Sequence, residues 1–249
     1  MNLFLTSSPG GLILEGGVKK QGFLDGSNGF VEELRALWHE NMHGLIIAAF
    51  PDSFEQNDYD ADAFTNAFNL SGLPVKSFDV YDHRQDEMSS GDLAEYDIII
   101  LSGGHVPTQN NFFKQIHLAE NISDFDGIII GISAGTMNCA SLVYAMPELD
   151  GESIDKNYKR FIVGLGLSDY NIIPHYDYLK DITLDGKKMI GDIACADSEG
   201  REFIALTDGS YILIKDNEKG VLYGESYRIS DGFVRPLCGA GQHISLACP

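Results

Sequence analysis

The sequence predicts an α/β fold: a mostly parallel central sheet flanked by helices, with β-hairpins at the C-terminal end. Three observations predict it. As far as Ala145, short apolar runs closed by turn signals alternate with longer stretches of helical spacing, which is the pattern of β-α-β units. Two of those runs, residues 97–102 and Ile128–Ile132, are apolar almost throughout, as strands buried on both faces of a parallel sheet are. From Phe203 onward the pattern changes to short alternating strands separated by turn residues.

Taken in order, Asn2–Thr6 reads as a strand. Residues 30–41 read as a helix, because Val31, Leu34, Leu37 and Trp38 recur at intervals of three and four. Residues 44–50 form the next strand. A helix over 60–70 carries Ala61, Phe64, Ala67 and Phe68 on one face and stops before Gly72 and Pro74. Val75–Tyr81 follows as a strand. Residues 109–120 supply the crossover helix between the two buried runs, and a further helix is expected over 134–144. Residues 146–159 are acidic and turn-rich. Strands are expected at 203–206, Tyr211–Lys215 and 221–224, joined through Asp208-Gly209 and through 216–220. No repeat or linker divides the chain, so residues 1–249 read as one domain.

Composition narrows the partners. Hydrophobic residues at 44% and charged residues at 22% are ordinary for a globular chain with a sizeable core. Against 17 basic residues stand 37 acidic ones, and the net charge of −20 repels phosphate backbones and anionic lipid. Nucleic acid and membrane are therefore not expected as partners. The apolar runs are too short for a membrane span, and residues 1–14 lack the basic start of a signal peptide. Cys139, Cys195, Cys238 and Cys248 show no C-x-x-C spacing, so neither a zinc site nor a disulfide framework is expected, and a cytoplasmic location is. No P-loop is present, and Gly164-Leu165-Gly166 lacks the third glycine of a dinucleotide fingerprint. No metal or other cofactor is expected.

The sharpest chemical feature is Gly131-Ile132-Ser133-Ala134-Gly135, a G-x-S-x-G sequence where a strand passes into a helix. Small neighbours let the backbone turn tightly and expose the serine hydroxyl, and the helix start favours a developing oxyanion. The plainer alternative is an ordinary strand-to-helix turn with Ser133 as its N-cap. A serine nucleophile needs a base, usually histidine. Of the seven histidines, His175 stands out: residues 171–175 are a short apolar run stopped by Pro174, which puts His175 at a strand end, where open α/β sheets bind ligands. His243 is a rival base. His39, His43, His83 and His117 read as surface or packing residues. Gly103-Gly104, closing another buried strand, offers backbone N–H groups for an oxyanion.

The Gly-Gly turn, the elbow and the Pro174-His175 pair together resemble the dipeptidase E and cyanophycinase family of serine peptidases, over roughly residues 97–176. The resemblance implies a class I glutamine-amidotransferase-like, flavodoxin-like sandwich. It implies Ser133 as nucleophile, His175 as base, and the N–H groups of Gly104 and Ala134 as the oxyanion hole. Dipeptidase E has an aspartate before a Met-Pro pair where this chain has Ala145, and relatives often have Asn where this chain has His105. The acid is therefore sought among Glu148, Asp150 and Glu152, with Asp150 expected first and Glu148 next. The family also implies small peptide substrates with acidic side chains, for which Lys180, Lys187, Lys188 and Arg201 are the candidate anchors, and a homodimer is left open. Two other readings compete: an α/β-hydrolase esterase using Ser133, Asp208 and His243, and a scaffold that binds a ligand without turnover.

Overall fold

The computed structural model describes residues 1–15, 18–85, 88–216 and 218–247; Cys248 lies outside them. Among the described residues, eight strands make the main sheet, in the order His243–Ser245, Val221–Tyr223, Tyr211–Lys215, Asn2–Thr6, Ile128–Ile132, Ile98–Leu101, Met42–Ile47 and Val75–Tyr81. The last five run parallel, and the first three are antiparallel to their neighbours. Alternation along each strand sorts the core into two faces. Leu3, Leu5, Ile99, Leu101 and Ile129 pack with Phe112, Phe113 and Leu118 on one side. Phe4, Ile98, Ile100, Ile128 and Ile130 pack with Phe30, Leu34, Phe64 and Phe68 on the other. The fold is thus the mixed α/β sandwich with a mostly parallel central sheet that the sequence predicts.

Helix boundaries depart from expectation for local reasons. Phe30–Leu37 ends early, because Trp38 turns extended at ψ 140 and sends its indole N–H to Pro74 O at 2.9 Å. Phe54–Leu70 starts earlier than residue 60. The expected 109–120 helix is two, Val106–Gln115 and Leu118–Ile122, split at His117, whose φ of 50 is left-handed. Beyond the elbow the helix lasts only over Ala134–Asn138, and a strand, Leu142–Tyr144, follows and pairs with Phe161–Val163. Side-chain bonds divert the chain there: Asn138 donates to Val106 O at 3.2 Å and Gln109 Oε1 at 3.0 Å, and accepts from Asn110 at 3.0 Å.

A second sheet contains Ile172–Ile173, Glu202–Leu206, Ser226–Ser230 and Phe233–Cys238. Here the expected hairpin across Asp208-Gly209 is not formed. Glu202–Leu206 pairs with Ser226–Ser230 in the small sheet, whereas Tyr211–Lys215 pairs with Asn2–Thr6 in the main one. The link between them is a turn fixed by Ser210 N–H on Thr207 O at 3.1 Å and Gly209 N–H on Ser8 O at 3.0 Å. Gly209 has φ 80, a conformation glycine adopts without strain. True hairpins join Tyr211–Lys215 to Val221–Tyr223 and Ser226–Ser230 to Phe233–Cys238. One face of the small sheet, with Ile172, Ile204 and Leu206, joins the cluster of the main sheet, and on its other face a third apolar cluster forms, with Ala134, Met137, Tyr144, Met146, Ile173, Met189 and Phe203. No helix among the described residues is long and apolar enough to cross a membrane.

Candidate active site

Ser133 closes Ile128–Ile132 with φ 51 and ψ −109, a conformation that a residue with a side chain keeps only when its surroundings impose it. The surroundings do. Ser133 N–H donates to Thr6 O at 3.1 Å, and Thr136 Oγ1 donates to the same carbonyl at 2.7 Å. Both elbow glycines are required by close approach: a Cβ on Gly135 would lie 2.1 Å from Leu101 O, and one on Gly131 would lie 2.8 Å from the Thr136 backbone. Among the described residues, the Ser133 hydroxyl makes no hydrogen bond, and it faces a cavity.

His175 follows Ile172–Ile173 and Pro174, and its φ of 54 swings the ring out of the strand direction. Its backbone N–H donates to Ser7 Oγ at 2.7 Å, and Ser7 Oγ donates to Asp208 Oδ1 at 2.7 Å. His175 Nδ1 lies 2.7 Å from the same Asp208 oxygen. With the proton on Nδ1 directed at the carboxylate, Nε2 is left as the acceptor, the tautomer a general base needs. Burial would raise the Asp208 pKa, but the hydrogen bonds from His175 and Ser7 outweigh it and hold the group below the ordinary carboxylate value. Asp208 thus occupies the orienting position for which Asp150 was expected. Asp150 is exposed, on the acidic segment, and it is Asp208 that contacts the imidazole.

Ser133 and His175 line one cavity of about 270 Å³, together with Met137, Met146, Glu148, Tyr178 and Met189. Glu148 keeps part of its surface in solvent, yet burial of its carboxyl pushes the pKa up to about 7; the Glu152 charge adds to the rise and His175 opposes it. Glu152 is a brace. Its carboxylate accepts from the Glu148 and Leu149 N–H groups at 2.8 and 3.0 Å, and sits 3.0 Å from His105 Nε2, tying the acidic segment to the loop after the paired glycines.

Gly104 can only be glycine, since a Cβ there would lie 2.6 Å from Ala49 Cβ, whereas a Cβ on Gly103 would make ordinary van der Waals contact with that of Ser133 at 3.5 Å. Neither the Gly104 nor the Ala134 N–H donates to a described group, so both are available to an oxyanion. The candidate basic anchors lie elsewhere. Lys180 pairs with Asp177 at 2.7 Å, Lys187 reaches Ser153 O at 3.2 Å, and Arg201 covers the Phe161 ring at 4.2 Å; Lys188 is exposed and outside the cavity lining. His243 sits on the outermost strand, its ring 5.5 Å from that of Tyr223. His39 and His43 pair with Asp97 and Asp79, and His83 with Asp52. Among the described residues no cluster of His, Cys, Asp and Glu is suited to a metal.

Ser7 escaped the sequence reading, and Asp208, which the sequence offers only as the acid of the esterase alternative with His243, lies instead beside His175. Ser7-Ser8-Pro9-Gly10 after an apolar strand was one available signal, since it puts a hydroxyl at a strand's carboxyl end.

No curated protein sequence matches the chain. Among solved structures, it resembles a peptidase from an acI-B1 Actinobacterium, with a TM-score of 0.60 and 18% identity over 98% of this chain and 96% of that one. It also resembles a putative peptidase E protein from Listeria monocytogenes EGD-e, with a TM-score of 0.57 and 17% identity over 95% of this chain and 98% of that one. At such identities these likenesses speak for the fold. The profile of Peptidase family S51 matches residues 48–222, a stretch that holds the paired glycines, the elbow, His175 and Asp208. The chain belongs to peptidase family S51 and is a serine-type peptidase.

Proposed function

We propose that the protein hydrolyses small peptides through an acyl-enzyme formed on Ser133. Ser133 Oγ attacks the scissile carbonyl carbon, and its proton passes to His175 Nε2. Asp208 holds the ring and stabilises the imidazolium. The carbonyl oxygen, now an oxyanion, is received by the Gly104 and Ala134 N–H groups. As the tetrahedral species collapses the C–N bond breaks, His175 gives its proton to the departing amine, and water repeats the sequence to release the acid. The observation that carries this reading is the single cavity shared by Ser133 and by a histidine whose Nδ1 is 2.7 Å from a carboxylate. A space of about 270 Å³ falls below the roughly 300–1,000 Å³ typical of drug-sized ligands, which favours substrates of one or two residues at this point. Three buried, unpaired cysteines, Cys139, Cys195 and Cys238, fit a reducing compartment such as the cytoplasm.

A fluorophosphonate probe is expected to label the wild-type protein at Ser133, with no labelling of Ser133→Ala and strongly reduced labelling of His175→Ala. Equal labelling of Ser133→Ala would reject the nucleophile, and undiminished labelling of His175→Ala would reject the base. The esterase alternative is disfavoured because Asp208 contacts His175 and His243 is on a remote strand. A ligand-binding scaffold without turnover would label at Ser133 and cleave nothing.

A further inference from the structure

The cavity beside Ser133 has a chemistry of its own. Its walls are Met137, Met146, Pro174, Leu179, Ile182 and Met189, and among the residues lining it none is lysine or arginine. Three of the chain's 6 methionines meet here, and all three are at most 4% exposed. Methionine is unbranched and polarizable, so such a wall adjusts to apolar groups of different shape. A carboxylate buried in this space would lose its hydration, gain no cation and face Glu148, three unfavourable conditions at once.

Glu148 is the second observation. Glu148 lines the same cavity, and among the described residues its carboxyl has no hydrogen-bond donor and no lysine or arginine partner. The charges acting on it are those of Glu152, which is itself engaged by His105, and of His175. Burial raises its pKa to about 7, which marks an ionised form short of stabilising partners. A cation brought by the substrate would supply one. In a peptide of one or two residues, the α-ammonium is that cation, and it lies next to the first side chain.

We infer that the cavity takes an uncharged, apolar N-terminal side chain, methionine or leucine in type, while the Glu148 carboxylate receives the free α-ammonium of the same residue. The inference rests on the serine-peptidase reading and names its substrate class. It sets this chain apart from the acidic side-chain recognition that the family resemblance implies.

The test is a panel of aminoacyl-aminomethylcoumarins carrying Met, Leu, Asp or Lys, each with a free or an acetylated amine, assayed on wild-type protein and Glu148→Gln. The free-amine Met and Leu substrates are expected to exceed Asp by about tenfold or more in kcat/KM. Glu148→Gln is expected to raise KM for those two about tenfold and leave the acetylated ones unchanged. Preference for Asp or Lys overturns the apolar assignment, and an unchanged KM in Glu148→Gln overturns the anchor. Fluorophosphonate labelling of Ser133 in the same preparations separates the two levels. Labelling with the wrong preference rejects this inference alone, whereas absence of labelling rejects the peptidase mechanism and the inference with it.

Discussion

The two ends of the main sheet carry similar residues and very different chemistry. At the amino ends of the parallel strands, His43 lies 3.1 Å from Asp79, His39 lies 3.5 Å from Asp97, and Tyr96 donates to Asp79 at 3.1 Å. A cavity of about 630 Å³ opens there, lined by His39, Tyr96, Asp97, Asp124 and Asp126 among others. At the carboxyl ends the cavity is less than half as large, but it holds Ser133 with its strained backbone, His175 on Asp208, and two glycine-dependent approaches of the chain. The comparison teaches that size and a His–Asp pair do not make a catalytic site. What distinguishes the carboxyl end is a serine at a strained backbone position, N–H groups without a described acceptor, and a histidine ring held by a carboxylate, the serine and the histidine lining one cavity. This is also the end at which open parallel sheets usually bind ligands.

Three substitutions test that contrast. The largest effect is expected at Asp208. Asp208→Asn keeps the shape of the side chain but can direct its amide N–H at Nδ1, which selects the wrong tautomer; kcat should fall about 10³- to 10⁴-fold while the protein stays folded by circular dichroism. A fall under tenfold would mean that another group orients the ring. The next effect concerns stability. Asp82, also on the carboxyl edge, is fully buried, and takes hydrogen bonds from Arg84 Nε at 2.9 Å and Nη2 at 2.8 Å and from Asn57 at 3.0 Å. Burial alone would raise its pKa, but those bonds prevail and lower it. A lowered folded-state pKa means stability that is fully present above the unfolded value, about 3.9, and is lost as pH falls through the folded one. Asp82→Asn should therefore cost about 2 kcal/mol in urea unfolding at neutral pH, and the cost should shrink in acid. A cost that is the same at both pH values would assign the effect to packing. The smallest effect is expected at the amino end: His43→Ala should change kcat/KM by less than about twofold, against the collapse expected from His175→Ala. A large loss would move part of the chemistry to the opposite end of the sheet.

How much of this was legible depended on whether the signal was local. The Ile98–Leu101 and Ile128–Ile132 strands are runs of apolar residues bounded by small ones, and a strand buried on both faces has few other ways to look. Gly131 and Gly135 mark the elbow for a reason that lies within a few residues of it. The pairing of Asp208 with His175 rather than His243 is not legible, because Asp-Gly between two short strands is the strongest local sign of a hairpin, and nothing nearby says that the strands on either side join different sheets. Nearness in sequence to the Met146-Pro147 pair points to Asp150. The contact with His175 is instead made across the fold, by a turn that meets Ser7 and His175 only after the sheets have formed. The helix after the elbow was overextended for the same reason: Asn138 is drawn into bonds with Gln109, Val106 and Asn110, partners distant in sequence.

Ser133 is carried by the large sheet, while His175 leaves the end of a strand of the small one and Asp208 sits on the chain that steps from one to the other. The separation of the serine from the histidine is therefore set by how the two plates are glued, and the glue is the apolar cluster in which Ile172, Ile204 and Leu206 of the small sheet join Leu3, Leu5 and Ile212 of the large one. Slippage at that seam would part the hydroxyl from the imidazole without touching either, so the tolerance of the arrangement is written in aliphatic packing remote from both.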